Sequence, residues 1–273
     1  MSKRFAIIGF GAITDETLRS LEERGELCAL AGVLVRPQRL PEAQRKAAGR
    51  FEVVDRIETL LALGADIVAE CAGHGAMREF APAVLAQGTE LLCSSVGVLA
   101  DPTFVTKLAG AGRRVWIPSG AVAGIDGLLA ARSAGLRNVT YTSVKPPIAW
   151  KGTPAEKLVA ASAGERLTFF EGTAREAAMR YPQNVNVGAT VSLAGLGLDR
   201  TVVRLVSDPQ ASGPLGIIEA QGDFGSFRFE VLAYASARNP KTSLLTAHSV
   251  LMALREGLCF SVQLSDLTSS ASP

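Results

Sequence analysis

The 273-residue sequence predicts an α/β protein: an N-terminal parallel sheet with helices on both faces, then a second α+β domain of mixed or antiparallel sheet. Three observations carry this. Up to residue 118, short β-branched apolar runs alternate with segments of helical period, the pattern of βαβ units. One run, Ala65-Asp66-Ile67-Val68-Ala69, is apolar nearly throughout, as a strand covered on both faces must be. After Asp126 the texture shifts to runs that alternate or pair through short turns.

In chain order, strands are expected at 5–10, 27–35, 65–71, 90–94 and 113–118, with helices at 13–24, 76–87 and 102–109 between them. In the second part, strands are expected at 138–144, 166–172, 200–207, 215–221 and 226–234. Helices at 174–180 and 185–196 interrupt them, and a helix at 242–255 follows an Asn239-Pro240 turn. The domains are therefore 1–125 and 126–240, with a helix at about 241–257 packing back on the first. Only the Ser-rich tail, 269–273, reads as disordered.

Composition narrows the function. Hydrophobic residues make up 48% and charged residues 20%, which excludes a disordered chain. The formal charge of +2 gives no field suited to nucleic acid as the main partner, so a small molecule is the expected ligand. Cys28, Cys71, Cys93 and Cys259 are widely spaced without CxxC pairs or nearby histidines, which points to reduced, mostly buried thiols and to no metal site or disulfide framework. The N-terminal apolar run is too brief for a signal peptide. The long uncharged stretch 181–198 contains Pro182, Gln183, Asn184 and Asn186, unsuited to bilayer hydrocarbon. A cytoplasmic protein with no membrane segment is expected.

The first strand runs into Gly9-Phe10-Gly11-Ala12-Ile13-Thr14. In a Rossmann-type dinucleotide fold, the first glycine makes the tight turn and the second lets backbone N–H groups approach a pyrophosphate at the helix N-terminus. Gly9, Gly11, Ala12 and Ile13 are thus candidate cofactor residues. Thr14 departs from the Gly or Ala usual at the third position and is expected to push or tilt the helix. An acid closing the second strand would mark NAD; here Arg36 and Arg39 follow it instead, which favours the 2′-phosphate of NADP over NAD. The alternative is that both belong to a solvated basic run extending to Arg45 and Lys46.

Six further blocks, taken together, resemble the L-aspartate dehydrogenases. They are Glu70-Cys71-Ala72-Gly73-His74, Ile117-Pro118-Ser119-Gly120-Ala121 with Gly124-Ile125-Asp126, Lys145-Pro146-Pro147, Phe170-Glu171-Gly172, Tyr181-Pro182-Gln183-Asn184-Val185-Asn186-Val187, and Asn239-Pro240-Lys241-Thr242-Ser243. The resemblance spans nearly the whole chain. It implies an NAD(P)-dependent two-domain oxidoreductase of amino-acid metabolism and NAD biosynthesis, acting on a CH–NH2 donor. The reaction would take aspartate to iminoaspartate and then to oxaloacetate plus ammonia, in a homodimer. The resemblance also places Ala121 and Asn186 around the nicotinamide, although Asn186 also suits an N-cap.

Lys145, before two prolines that exclude a helix, could hold a substrate carboxylate or be a surface cation. His74 could cap the next helix, touch the nicotinamide ribose or move a proton. His248, in an apolar helical pattern, reads as a packing residue.

One departure stands out. In the family, an Asp-Pro turn precedes Asn-x-His, whose histidine is regarded as the catalytic acid/base. Here Asp208-Pro209 is followed by Pro214 and Gly216 in those two places, and glycine transfers no proton. The catalytic group is then unknown, with Lys145 and His74 as weak candidates. This leaves open an aspartate dehydrogenase or imine reductase with another proton carrier, a dehydrogenase of different substrate, or a catalytically impaired NADP-binding homologue acting as a sensor or interaction protein.

Overall fold

A computed structural model describes residues 3–162, 164–236 and 239–269. It divides into two compact units, the second made of Leu99–Asp101 and Ala121–Leu245 and the first of the remaining chain. The first begins with β1 (Phe5–Ile8), α1 (Ala12–Glu23), β2 (Leu30–Leu34), α2 (Leu40–Ala47), β3 (Val53–Val54), α3 (Ile57–Ala62), β4 (Ile67–Glu70), α4 (His74–Ala86), β5 (Glu90–Cys93), α5 (Pro102–Ala109) and β6 (Arg114–Pro118). These strands pair in parallel in the order β3-β2-β1-β4-β5-β6. The strand order reverses at β1, between β2 and β4, and such a switch point opens a ligand crevice beyond the carboxyl ends of the strands.

The second unit continues with α6 (Ile125–Ser133), β7 (Leu136–Lys145), α7 (Glu156–Ala161), β8 (Leu167–Thr173), α8 (Ala174–Arg180), α9 (Asn186–Ala194), β9 (Val202–Ser207), β10 (Leu215–Gly222), β11 (Gly225–Leu232), β12 (Ala235–Ser236) and β13 (Asn239–Ser243). Its main sheet has the order β11-β10-β7-β9-β8. Only the β7–β9 pair is parallel, so the sheet is mixed, as expected. Thr173 and Glu176 form a reciprocal capping box that starts α8 at the expected residue.

The chain then returns to the first unit through α10 (Leu244–Glu256), β14 (Cys259–Gln263) and α11 (Leu264–Ser269). β14 adds an antiparallel edge to β6, a strand absent from the expected set. Phe5, Ile7, Leu18, Leu21, Leu30, Val33, Val250 and Leu254 meet in one core, each such side chain contributing about 1.5–3 kcal/mol by burial. The Thr17 hydroxyl donates to the Ala247 carbonyl and ties α1 to α10.

Several expectations are corrected. Residues 239–240 lie in a strand paired with β12 rather than in a turn. The basic run at 45–46 belongs to helix α2. Of the cysteines only Cys93 is buried; Cys28 is exposed, and Cys71 and Cys259 are intermediate. His248 is half-exposed on α10, its Nε2 3.7 Å from Glu16 Oε1, and is not a packed core residue. Residues 270–273 of the Ser-rich tail lie outside the described residues.

Candidate functional site

In the first unit, β1 ends at Ile8 and the chain turns at once into α1. Gly9 has φ +100° and donates its N–H to the Leu34 carbonyl at 2.8 Å. A Cβ there would stand 2.6 Å from the Cβ of Ala72, so the turn admits only glycine for steric as well as dihedral reasons. Gly11, the N-cap of α1, has an ordinary extended backbone, and a Cβ on it would meet nothing within 4 Å. It faces open space of the kind a ligand would fill.

Thr14 is accommodated within the turn. It is fully buried, and its hydroxyl donates to the Gly9 carbonyl at 2.8 Å, stitching the turn to the first turn of α1. Ala12 and Ile13 are half-buried at the start of α1, and Ile13 packs against the core. Only their backbone N–H groups are suited to ligand contact.

A cleft of about 440 Å³ opens over this turn. Arg36, Arg39 and Lys46 line it, together with Glu42 and Glu79. Arg39 pairs with Glu42 at 3.3 Å, while Arg36 has no ion pair among the described residues. Lys46 pairs with Asp15 in the first turn of α1 and stands 4.6 Å over the Phe10 ring. By holding Asp15, Lys46 offsets a carboxylate that would otherwise repel a phosphate at this helix end. Open space at Gly11, free helix N–H groups and three cations fit the phosphates of a dinucleotide.

The sequence reading gave neither Lys46 nor Glu70 a role in the site. Glu70 closes β4 fully buried. Its Oε1 accepts from the Ala72 and Gly73 N–H groups at 2.7 and 2.6 Å, and its Oε2 from Ser95 at 3.2 Å. One carboxyl thus fixes the loops leaving β4 and β5. Burial raises its pKa against the lowering effect of these donors. His74 is the first residue of α4, whose N-cap is Gly73, so the cap is glycine backbone.

The second unit gathers its candidates on one face of its sheet. Gly216 in β10 pairs with Ser143 in β7. A Cβ on Gly216 would stand 3.2 Å from Tyr141 Oη and 3.5 Å from Val122 Cγ1, the residue after Ala121. Gly188 in α9 packs over the same Tyr141 ring. Asn186 is the first residue of α9, and the N-cap is Val185; the Asn186 carbonyl accepts from the Thr190 hydroxyl. Strand alternation sets Lys145, Ser143 and Tyr141 on this face.

Lys145, at the end of β7, is half-buried. Its Nζ lies 3.5 Å from the Asn184 carbonyl and 5.2 Å from the Trp150 ring centre. Burial without a compensating charge lowers its pKa to about 8. Burial likewise pushes the Tyr141 phenol well above its ordinary value.

Comparison with known proteins decides the family. Residues 126–257 match the model described as aspartate dehydrogenase, C-terminal, and residues 9–115 the one described as homoserine dehydrogenase, NAD binding domain. The chain is 42% identical over 257 residues to an L-aspartate dehydrogenase of Ralstonia nicotianae, covering 91% of this chain and 95% of that one. The chain belongs to the aspartate dehydrogenase family. An L-aspartate dehydrogenase of Pseudomonas aeruginosa is also 42% identical, over 91% of this chain and 95% of that one. A crystal structure of aspartate dehydrogenase from Thermotoga maritima shares the fold with TM-score 0.68 at 24% identity, covering 94% of this chain and 97% of that chain. This family member is an oxidoreductase whose first unit carries a nicotinamide-dinucleotide-binding domain. Among the described residues, no helix is long and apolar enough to cross a membrane.

Proposed function

We propose that this member of the aspartate dehydrogenase family is an NADP-preferring dehydrogenase of a small amino dicarboxylate, with aspartate as the leading substrate. It would form iminoaspartate, which water converts to oxaloacetate and ammonia, or run the reverse reductive amination. The nicotinamide, when bound, supplies the hydride acceptor. Gly9, Gly11 and the backbone of Ala12 and Ile13 hold the pyrophosphate; Arg36 and Arg39 take the 2′-phosphate; Ala121 and Asn186 flank the nicotinamide.

The observation that carries the cofactor choice is the placement of Arg36 and Arg39 on the glycine-loop cleft, with no acid at the end of β2. Each charge-assisted phosphate contact contributes about 1.5–3 kcal/mol. Fluorescence titration tests it: NADPH binds at least tenfold more tightly than NADH, and the preference collapses in Arg36→Ala/Arg39→Ala. Equal or reversed affinities overturn it. Gly216, where the family resemblance places a histidine, favours a second reading: a cofactor-binding sensor without turnover. Tight NADPH binding with no reaction across amino acids, or keto acids plus ammonia, would establish that one. The reading also includes a cytoplasmic homodimer, tested by sedimentation.

A further inference from the structure

We propose that Lys145 is the catalytic proton carrier of this chain, taking the proton from the substrate ammonium in the place of a histidine at 216. The inference rests on the amino-acid dehydrogenase reading above and deepens it. Three features of the second unit carry it. Gly216 lies beside Ser143 in the β10–β7 ladder, and Lys145 is two residues further on the same face. Among titratable side chains of β7 on that face, Tyr141 is sealed in the core at 5% exposure, while Lys145 is partly open. Pro146 and Pro147 then fix the backbone behind it.

The surroundings favour a neutral amine over a permanent anchor for a carboxylate. Asp208 follows β9 and donates its backbone N–H to the Lys145 carbonyl, but its carboxylate is committed to Arg166 at 3.3 Å and to the Gln210 N–H at 2.9 Å. On the α8 side, Arg180 lies over the Tyr181 ring. The helical turn after β7 offers Trp150, and the 181–185 segment offers only the Asn184 carbonyl. Ser207, opposite Lys145 in the β7–β9 ladder, has a buried hydroxyl with no hydrogen-bond partner among the described residues. With no carboxylate opposite it, the ammonium loses hydration without gaining a counter-charge. The resulting pKa of about 8 leaves an appreciable neutral fraction near neutral pH.

The step balances. The substrate N–H bond breaks, its proton moves to the Lys145 Nζ lone pair, and the substrate amine is left neutral. Its nitrogen lone pair is then available to form the C=N bond, for which an oxidised nicotinamide, when bound, would accept the hydride from Cα, and Lys145 returns its proton to water. Arginine separates this role from carboxylate binding, since it keeps the charge and does not deprotonate.

The experiment compares wild type with Lys145→Arg and Lys145→Gln by pH profile, NADPH affinity and melting temperature. Lys145 of 13C-labelled protein is also titrated by NMR. The expected result is a kcat loss of about 10²–10⁴-fold in both variants, with unchanged NADPH affinity. The wild-type acidic limb near pH 8 disappears, and the Lys145 resonance titrates near the same pH. Lys145→Arg retaining kcat, or a resonance titrating with free lysine near 10.4, overturns the role even if wild type is active. A wild type without turnover on any amino acid overturns the dehydrogenase reading itself, and the proton role with it.

Discussion

The hydroxyl oxygen of Tyr141 lies 3.2 Å from the point where Gly216 would carry a Cβ, and ring carbon Cε2 lies 3.4 Å from it. The residue at 216 and the packing of Tyr141 are therefore coupled, since a Cβ at 216 requires the buried Tyr141 side chain to give by a few tenths of an ångström. Gly216→His alone is expected to destabilise the protein by about 1–3 kcal/mol through overpacking. Adding Tyr141→Phe removes the closest atom. The double variant is expected to recover stability and to raise aspartate turnover at pH 6–7 by at least tenfold. There the histidine, with an ordinary pKa near 6.5, is partly neutral while Lys145 is charged. Melting curves and pH–rate profiles check both halves.

The two glycines of the nucleotide turn should fail differently. Gly9→Ala adds a clash with Ala72 at positive φ and is expected to cost about 2–4 kcal/mol of stability. Gly11→Val has an allowed backbone and open space, so the fold survives while NADPH affinity falls at least a hundredfold. Urea denaturation paired with cofactor titration separates them.

This difference also shows how much the sequence disclosed. The parallel sheet, the glycine turn and the mixed second sheet were legible, because buried strands and β–turn–α junctions follow from local pattern. Lys46 was not. Read as a solvated run, it lies with Arg39, Glu42 and Ala43 at helical spacing on the cleft wall. That period was visible, but Pro41 and the high charge hid the helix, although proline is well placed in a first turn. Glu70 left a fainter signal, an acid ending an apolar strand. β14 and the Gly216–Tyr141 coupling depend on long-range pairing that no local pattern encodes. The separation of His248 from the core was missed because an apolar period does not say which flank of the helix stays wet.

Glu70→Gln keeps one acceptor oxygen and turns the other into a donor, so either the Ala72 and Gly73 N–H groups or the Ser95 N–H loses its acceptor. The expected loss is about 2–3 kcal/mol, the cost of unsatisfied buried donors. NADPH affinity should fall with it, since Ala72 lines the cofactor cleft. Denaturation and titration at one pH measure both.

Lys145 carries a signature in apo stability. Its folded pKa of about 8 lies below the ordinary lysine value of 10.5, so between these values the unfolded chain binds the extra proton. Wild-type stability therefore rises with pH across that window, and the penalty is full below pH 8. Lys145→Met is expected to be more stable than wild type at pH 7, by up to about 3 kcal/mol. The advantage should vanish above pH 10.5. Urea curves at pH 7 and above pH 10.5 test the sign.

The most direct measurement is the absorbance of NADPH formed from NADP⁺ and L-aspartate, followed across pH 6–10 with NAD⁺ and other amino acids in parallel. The account predicts turnover with aspartate, faster with NADP⁺ at limiting cofactor, and rising through an apparent pKa near 8. NADPH binding without any such formation, and without consumption of NADPH by oxaloacetate and ammonia, would contradict it.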